Sequence, residues 1–277
     1  MTRRTSMTPA PATPASRFTL WQHRRLLMTL TWRDVLGRYR GSAGGLVWSL
    51  VTPILMLSVY TVVFSGIFRA RWSQDTQSPI DYALQLFVGL IIHGLAAECL
   101  NRSPGQIVGN VSYVKRVVFP LETLPAVGLL SALFHFLISL TVLLAFYAIV
   151  HHSLHLTVLW LPVILLPYFV LLAGVAWALA GLGVYLRDVS QITGLFTTIL
   201  MFLSPVFYPA SALPDSFQTI FAFNPLTLII EQSRQVVLHG GRPDFAALGV
   251  YSLVACVVAV VGYRAFRVMK KGFADVL

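Results

Sequence analysis

Residues 156–185 read LTVLWLPVILLPYFVLLAGVAWALAGLGVY, a run without one charged side chain. A bilayer hydrocarbon core about 30 Å thick is crossed by roughly 20 helical residues, and only helices and closed barrels satisfy their backbone groups inside it. This stretch therefore reads as a membrane-spanning helix, with Pro162 and Pro167 predicting a tilt or kink. The same criterion finds further runs at 44–68, 82–101, 126–150, 190–209 and 245–266. The predicted fold class is all-α: a polytopic membrane protein with six transmembrane helices.

The whole chain agrees with that reading. Of its 277 residues 57% are hydrophobic and 11% charged, far from the roughly 25% charged residues of soluble domains. A net charge of +10 could suggest nucleic acid, but the basic residues sit at the chain ends and in short loops between apolar runs. That distribution is a membrane topology, and it argues against a nucleic-acid partner. Only Cys99 and Cys256 occur, with no spacing that implies a disulfide or a zinc site. No internal repeat is visible.

Arg69, Arg71, Arg234 and Arg242 fall on one side of the six runs, and the rest of the 20 Lys and Arg on the other. The positive-inside rule then predicts that both termini are cytoplasmic, which also demands an even number of spans. Residues 1–16, rich in Pro, Ala, Thr and Ser, have the composition of a disordered tail, and no apolar stretch follows Arg3 and Arg4 closely enough for a signal peptide.

Residues 17–43 form a predicted amphipathic helix on the cytoplasmic membrane surface. Trp21, Met28, Trp32, Val35 and Tyr39 share a narrow arc at 100° per residue, flanked by Leu20, Leu27 and Leu36. Gly37, Gly41 and Gly45 let the chain turn into the bilayer, where residues 44–266 make the transmembrane domain and 267–277 a cytoplasmic tail. Between spans two and three, Ile107, Val108, Val111, Val114 and Val118 keep helical spacing until Pro120. The stretch 204–244 is apolar in places but too interrupted to cross, and short re-entrant helices fit it best.

Titratable groups within the spans are His93, Glu98 and His135. They read as scattered, with structural roles, and Glu98 is near enough to the cytoplasmic end to reach water or Arg102. His151, His152 and His155 cluster on the outer side, where the absence of acidic neighbours in sequence favours a solvated loop over a metal site. Only Lys115, Lys270 and Lys271 are lysines, and none stands in the glycine-rich spacing of a phosphate-binding loop. Any ATP-driven work would come from a partner that binds the nucleotide and its magnesium, so no catalytic residue, cofactor or metal is assigned to this chain.

Several short motifs in order resemble the permeases of ABC-2 type exporters. They are Arg38-Tyr39-Arg40 followed by 44–53; Tyr113 to Pro120 with Leu124 and Pro125; Tyr185-Leu186-Arg187-Asp188-Val189; Ser204 to Tyr208; Asn224-Pro225; and Phe273 to Leu277. The resemblance, from about Phe18 onward, is to the O-antigen, capsular polysaccharide and teichoic acid exporters. It implies a homodimer paired with two copies of an ATPase, moving a lipid-linked polysaccharide across the inner membrane. It also implies that Lys115, Arg116, Phe119, Pro120, Arg187 and Asp188 contact the ATPase, and that outer gate helices lie within 210–240.

A polysaccharide path calls for aromatic faces, which stack on sugar rings without demanding one sequence of sugars. Tyr60, Phe64, Trp177, Tyr185, Phe202, Phe207 and Tyr208 are the candidates for its wall. Two readings stay open beside it: an ABC-2 permease for a drug or lipid, and an ion-coupled carrier or intramembrane enzyme using His93, Glu98 and His135.

Overall fold

The computed structural model describes residues 22–67, 79–115, 119–209, 221 and 223–277. Among them the regular elements are helices: α1 (Arg24–Arg38), α2 (Trp48–Tyr60), α3 (Pro79–Arg102), α4 (Gly105–Val108), α5 (Val111–Val114), α6 (Thr123–His151), α7 (Leu161–Tyr185), α8 (Val189–Phe202), α9 (Pro225–Val237), α10 (Phe245–Met269) and α11 (Phe273–Val276). Short 3-10 turns at Gly45–Val47 and Leu156–Trp160 lead into α2 and α7, and a π-helical stretch, Thr61–Ile67, extends α2. The all-α, multi-pass membrane fold expected from hydropathy is what the chain adopts.

Five helices among the described residues are long and apolar enough to cross, over 45–64, 80–102, 123–151, 156–185 and 245–276. The sixth run behaves differently. Expected over 190–209, its helix stops at Phe202 after 14 residues, about 21 Å of rise and short of the hydrocarbon thickness. Two features end it. Pro205 offers no backbone N–H, and the Asn224 amide donates to the Leu203 carbonyl at 2.8 Å, satisfying a group the helix leaves open. Residues 203–209 continue as turns, followed after the gap by α9. At 13 residues α9 is likewise too short to cross, as expected for re-entrant helices in 204–244. It starts at a capping Asn224 with Pro225 in its first turn.

The fourth run is divided at Trp160, with Pro162 in the first turn of α7 and Pro167 inside it. Helix α10 runs on to Met269, and a 3-10 turn, Lys270–Gly272, leads into α11, where Phe273 is completely buried.

Helix α3 is the central post, with 78% of its apolar window buried inside the protein against 17% for the windows of α2 and α10. The outer faces of α2 and α10 are left for lipid. The most extensive helix pair is α7 with α10, and glycine makes their approach possible. A Cβ on Gly262 would lie 2.0 Å from the Gly174 carbonyl oxygen, so the two backbones meet directly, as small residues allow in membranes.

Helix α1 covers the later part of the predicted surface helix, and Trp21 lies outside the described residues. Its apolar residues split into two faces. Leu27 and Leu30 pack with Val127 of α6, and Val35 is also buried, whereas Met28, Trp32 and Leu36 stay exposed. At Gly41 (φ 86°) and Gly45 (φ 49°) the chain turns into α2 through conformations that favour glycine.

Candidate functional site

Two loops meet at one end of the bundle. Gly183 of α7 sits so close to the turn after α3 that a Cβ there would come within 2.2 Å of the Pro104 carbonyl oxygen. The hairpin of α4 and α5 is thereby seated beside the α7–α8 turn carrying Arg187 and Asp188, both exposed. In the hairpin, Tyr113 and Phe119 stack with centroids 4.3 Å apart, and the Pro120 carbonyl accepts a bond from the Thr123 hydroxyl at 2.7 Å. Lys115 caps the end of α5. Arg116 lies outside the described residues. Buried Glu122 fixes this end, accepting both oxygens' worth of contact from Lys270 at 2.9 and 3.0 Å, while its carbonyl accepts from the Trp177 indole at 3.0 Å.

Beside that hairpin lies an ion-pair cluster between α1, α3 and α6. Arg102 grips Asp34 with one nitrogen 2.8 Å from each carboxylate oxygen. Glu98 accepts from Arg38 and lies 3.5 Å from Arg102 and 3.3 Å from His135 Nδ1. The expectation that the intramembrane titratable groups are scattered is therefore corrected for two of the three: α1 folds across α3 and α6 and draws Glu98 and His135 together around Arg38. His93 stands apart from them, its Nε2 3.0 Å from the Thr197 carbonyl of α8.

Two cavities flank the cluster. One, of about 360 Å³, opens between α2, α3 and α6 and is lined by Tyr60, His93, Glu98 and His135 among others. The second, of about 530 Å³, lies on the other side of Arg38, between α1, the α4–α5 hairpin and the start of α6.

The opposite end is organised by a residue that sequence reading treated only as a loop charge. Arg234 of α9 is 2% exposed. Its guanidinium donates to the carbonyls of Gln85 at 2.9 Å, Pro205 at 2.6 Å and Val206 at 3.1 Å, and pairs with Glu231 at 3.1 Å. One side chain thus ties α3, the turns after α8 and α9 together. Opposite it, a Cβ on Gly89 would lie 3.0 Å from Val206 Cα, which seats those turns well along α3 from its start. A buried arginine is costly in an apolar medium unless such acceptors surround it; spacing in sequence gave no sign of them.

Among the histidines at 151–155, where His151 and His152 are exposed, one expectation is corrected. His151 does have an acidic neighbour, Asp81 of α3, 3.1 Å away, and it stacks on Tyr147 at 4.5 Å. Burial pulls the imidazole of His239 below its ordinary pKa, and His239 Nε2 lies 2.9 Å from the Gln85 amide nitrogen. No group of three metal ligands forms among the described residues.

The candidate wall aromatics fall into three places. Tyr60, Phe64 and Tyr82 form a ladder from α2 to α3, with centroids 6.4 and 5.3 Å apart. Phe202 stacks on Phe207 at 5.8 Å, and Tyr208, which donates to the Phe202 carbonyl, lies 6.0 Å from Phe221. Trp177 and Tyr185 are elsewhere. Trp177 is in the core at the basic end, against Tyr263. The Tyr185 hydroxyl donates to the Met269 carbonyl at 2.6 Å, pinning the chain's last turns. Neither lines the cavity beside Tyr60.

The family model described as ABC-2 type transporter matches residues 25–238. The chain is 25% identical to the O-antigen export system permease protein RfbA of Klebsiella pneumoniae over 91% of its own length and 95% of that protein's. It is also 25% identical to the RfbA permease of Myxococcus xanthus over 92% and 96%. With the polysialic acid transport protein KpsM of Escherichia coli it shares 23% identity over 85% and 90%. The family match runs from α1 through the hairpin, the short α8 and the buried arginine helix to residue 238, well over half of the chain: the chain belongs to the ABC-2 type transporter family.

Proposed function

We propose that this chain is the membrane-spanning subunit of an ATP-driven exporter that carries a lipid-linked polysaccharide, an O-antigen or a capsular glycan, across the inner membrane. The observation that carries the reading is similarity over 85% to 91% of the chain to permeases named for O-antigen export and polysialic acid transport. Both termini are cytoplasmic, with α8 and the chain that follows it together making the sixth crossing this demands, so the end bearing the α4–α5 hairpin and the α7–α8 turn is the docking face for a separate ATPase. That subunit holds the nucleotide and its magnesium.

The geometry supports this docking face. Two loops distant in sequence are seated together by the backbone contact of Gly183 with Pro104, so a partner engaging Phe119, Pro120, Arg187 and Asp188 acts on α3, α6, α7 and α8 at once. Lys115 adds positive charge to the same region, and Arg116 follows it in sequence.

Two copies of the chain, paired with two ATPases, enclose the path. Its wall is assigned to Tyr60 and Phe64 and to the Phe202, Phe207 and Tyr208 group; Trp177 and Tyr185, whose polar atoms are engaged in holding the basic end together, act there as packing residues. Export in cells lacking this subunit, restored by the parent chain and scored as surface polysaccharide, tests the reading. Co-purification of an ATPase with the tagged chain tests the partnership. Normal surface polysaccharide without the subunit would overturn the function.

A further inference from the structure

We infer that the cavity of about 530 Å³ between α1, the α4–α5 hairpin and α6 binds a phosphate-bearing lipid headgroup. Its size falls in the range of ligand clefts, and its chemistry is one-sided: Arg33, Arg38, Arg40 and Arg102 line it with Asp34 as the one carboxylate. Guanidinium groups are planar forks that match phosphate oxygens two at a time, and basic pockets beside membrane helices suit anionic headgroups.

The four arginines are not equivalent. Arg102 is held by Asp34, Arg38 by Glu98, and Arg33 donates to the Tyr113 hydroxyl at 2.6 Å. Arg40 is exposed and makes no ion pair among the described residues. It stands at the turn through Gly41, where the chain leaves the surface helix for α2. An arriving phosphate therefore meets Arg40 and Arg33 first, and can then exchange with Asp34 and Glu98 for the other two guanidinium groups. Each exchange replaces one oxyanion by another, so no arginine is left without a partner.

Met28, Trp32 and Leu36 are exposed along the face of α1 turned away from the pocket, apolar surface that seats this helix, and the pocket it walls, at a lipid surface. Beyond Arg38 lies the cavity of about 360 Å³, lined by Glu98 and His135. The Arg38–Glu98 pair is thus a partition between the two, and phosphate binding at Arg38 loosens it from one side. Reading the headgroup as the substrate's anchor rests on the export function proposed above; the pocket's preference for phosphate does not.

The test is binding without ATP. The tagged permease, purified with its ATPase in detergent, is titrated with a fluorescent polyprenyl diphosphate, with phosphatidylglycerol and with phosphatidylcholine. The expected order is diphosphate tightest and phosphatidylcholine weakest, with Arg40→Gln losing about tenfold for the diphosphate, the size of one charge-assisted contact. Arg33→Gln should add a further loss, and thermal melting of each variant reports whether it is folded. Because Arg40 makes no ion pair, Arg40→Gln stays informative even if Arg33→Gln fails to fold. Equal affinity for phosphatidylglycerol, lost in the same variants, keeps the phosphate site and assigns it to bulk anionic lipid. Parental affinity for every probe in folded Arg40→Gln and Arg33→Gln overturns the inference, whatever export shows. Normal surface polysaccharide in cells lacking the subunit, with the purified parent still preferring the phosphate-bearing lipids, would count against the exporter reading alone.

Discussion

Arg234 Nη1 lies 2.6 Å from the carbonyl oxygen of Pro205, joining a helix too short to cross a membrane to the turns where another helix stops. The half-length α8 would leave open carbonyls in an apolar layer, and the guanidinium supplies donors to the turns that follow. Nearly full burial makes this contact structural, because the charge has few alternatives to the acceptors of Gln85, Pro205, Val206 and Glu231.

Arg234→Met should therefore destabilise the protein strongly. Each buried carbonyl left without a donor costs about 1–3 kcal/mol, so the total should reach at least about 3 kcal/mol, and Arg234→Lys should recover only part of it. Melting of the detergent-solubilised protein measures this. A methionine variant as stable as the parent would remove Arg234 from its place in the account.

The Gly174–Gly262 crossing makes a sharper comparison. A methyl group on Gly262 meets backbone at 2.0 Å, whereas Gly249, on the same helix, has nothing within 4 Å of its Cβ position. Gly262→Ala should cost about 1–3 kcal/mol by overpacking, and Gly249→Ala should be neutral or stabilising by up to about 1 kcal/mol. Equal melting temperatures for the two variants would contradict the direct backbone contact.

His239 gives a pH dependence of stated sign. Burial lowers its folded-state pKa, so the unfolded chain binds the proton more readily. Its contribution is present above its ordinary pKa of about 6.5 and is lost as pH falls through the lowered value. Melting temperature should drop from about pH 7 to pH 5 in the parent, and less so in His239→Gln. The same slope in both would show that the titration lies elsewhere.

Much of the fold could be read from hydropathy alone, because a span is decided by its own composition. The run at 156–185 needs no partner to be recognised. What escaped reading depends on contacts between residues far apart in the chain. Asp81 and His151 are 3.1 Å apart but share no motif, so His151 looked to be without an acidic neighbour. Glu98 and His135 seemed scattered because nothing in periodicity tells that Arg38 would reach between them. The end of α8 at Phe202 escaped because the carbonyl just after it, Leu203, is satisfied by the amide of Asn224, twenty-one positions further on. Trp177 fitted an aromatic wall by type and depth, yet its indole is used by the Glu122 carbonyl.

The aromatic assignments make a corresponding contrast. Tyr60→Ala should reduce export more than it reduces protein level, since the ring lines a cavity. Trp177→Ala should cost about 3–5 kcal/mol of stability as a buried aromatic and lower the protein level with export in proportion. Quantitative blotting beside surface polysaccharide separates the two, and the reverse pattern would exchange their roles.

The central claim is movement of a glycan through this chain on ATP hydrolysis by a partner docked at Phe119 and Arg187. Its most direct measurement is in proteoliposomes holding the permease, its ATPase and a lipid-linked polysaccharide, with external glycanase reporting how much glycan has passed to the lumen. The account predicts ATP-dependent protection with the parent chain. With Arg187→Ala and Phe119→Ala together, ATP turnover should continue while protection is lost. Glycan that stays fully accessible while the parent complex hydrolyses ATP would contradict it.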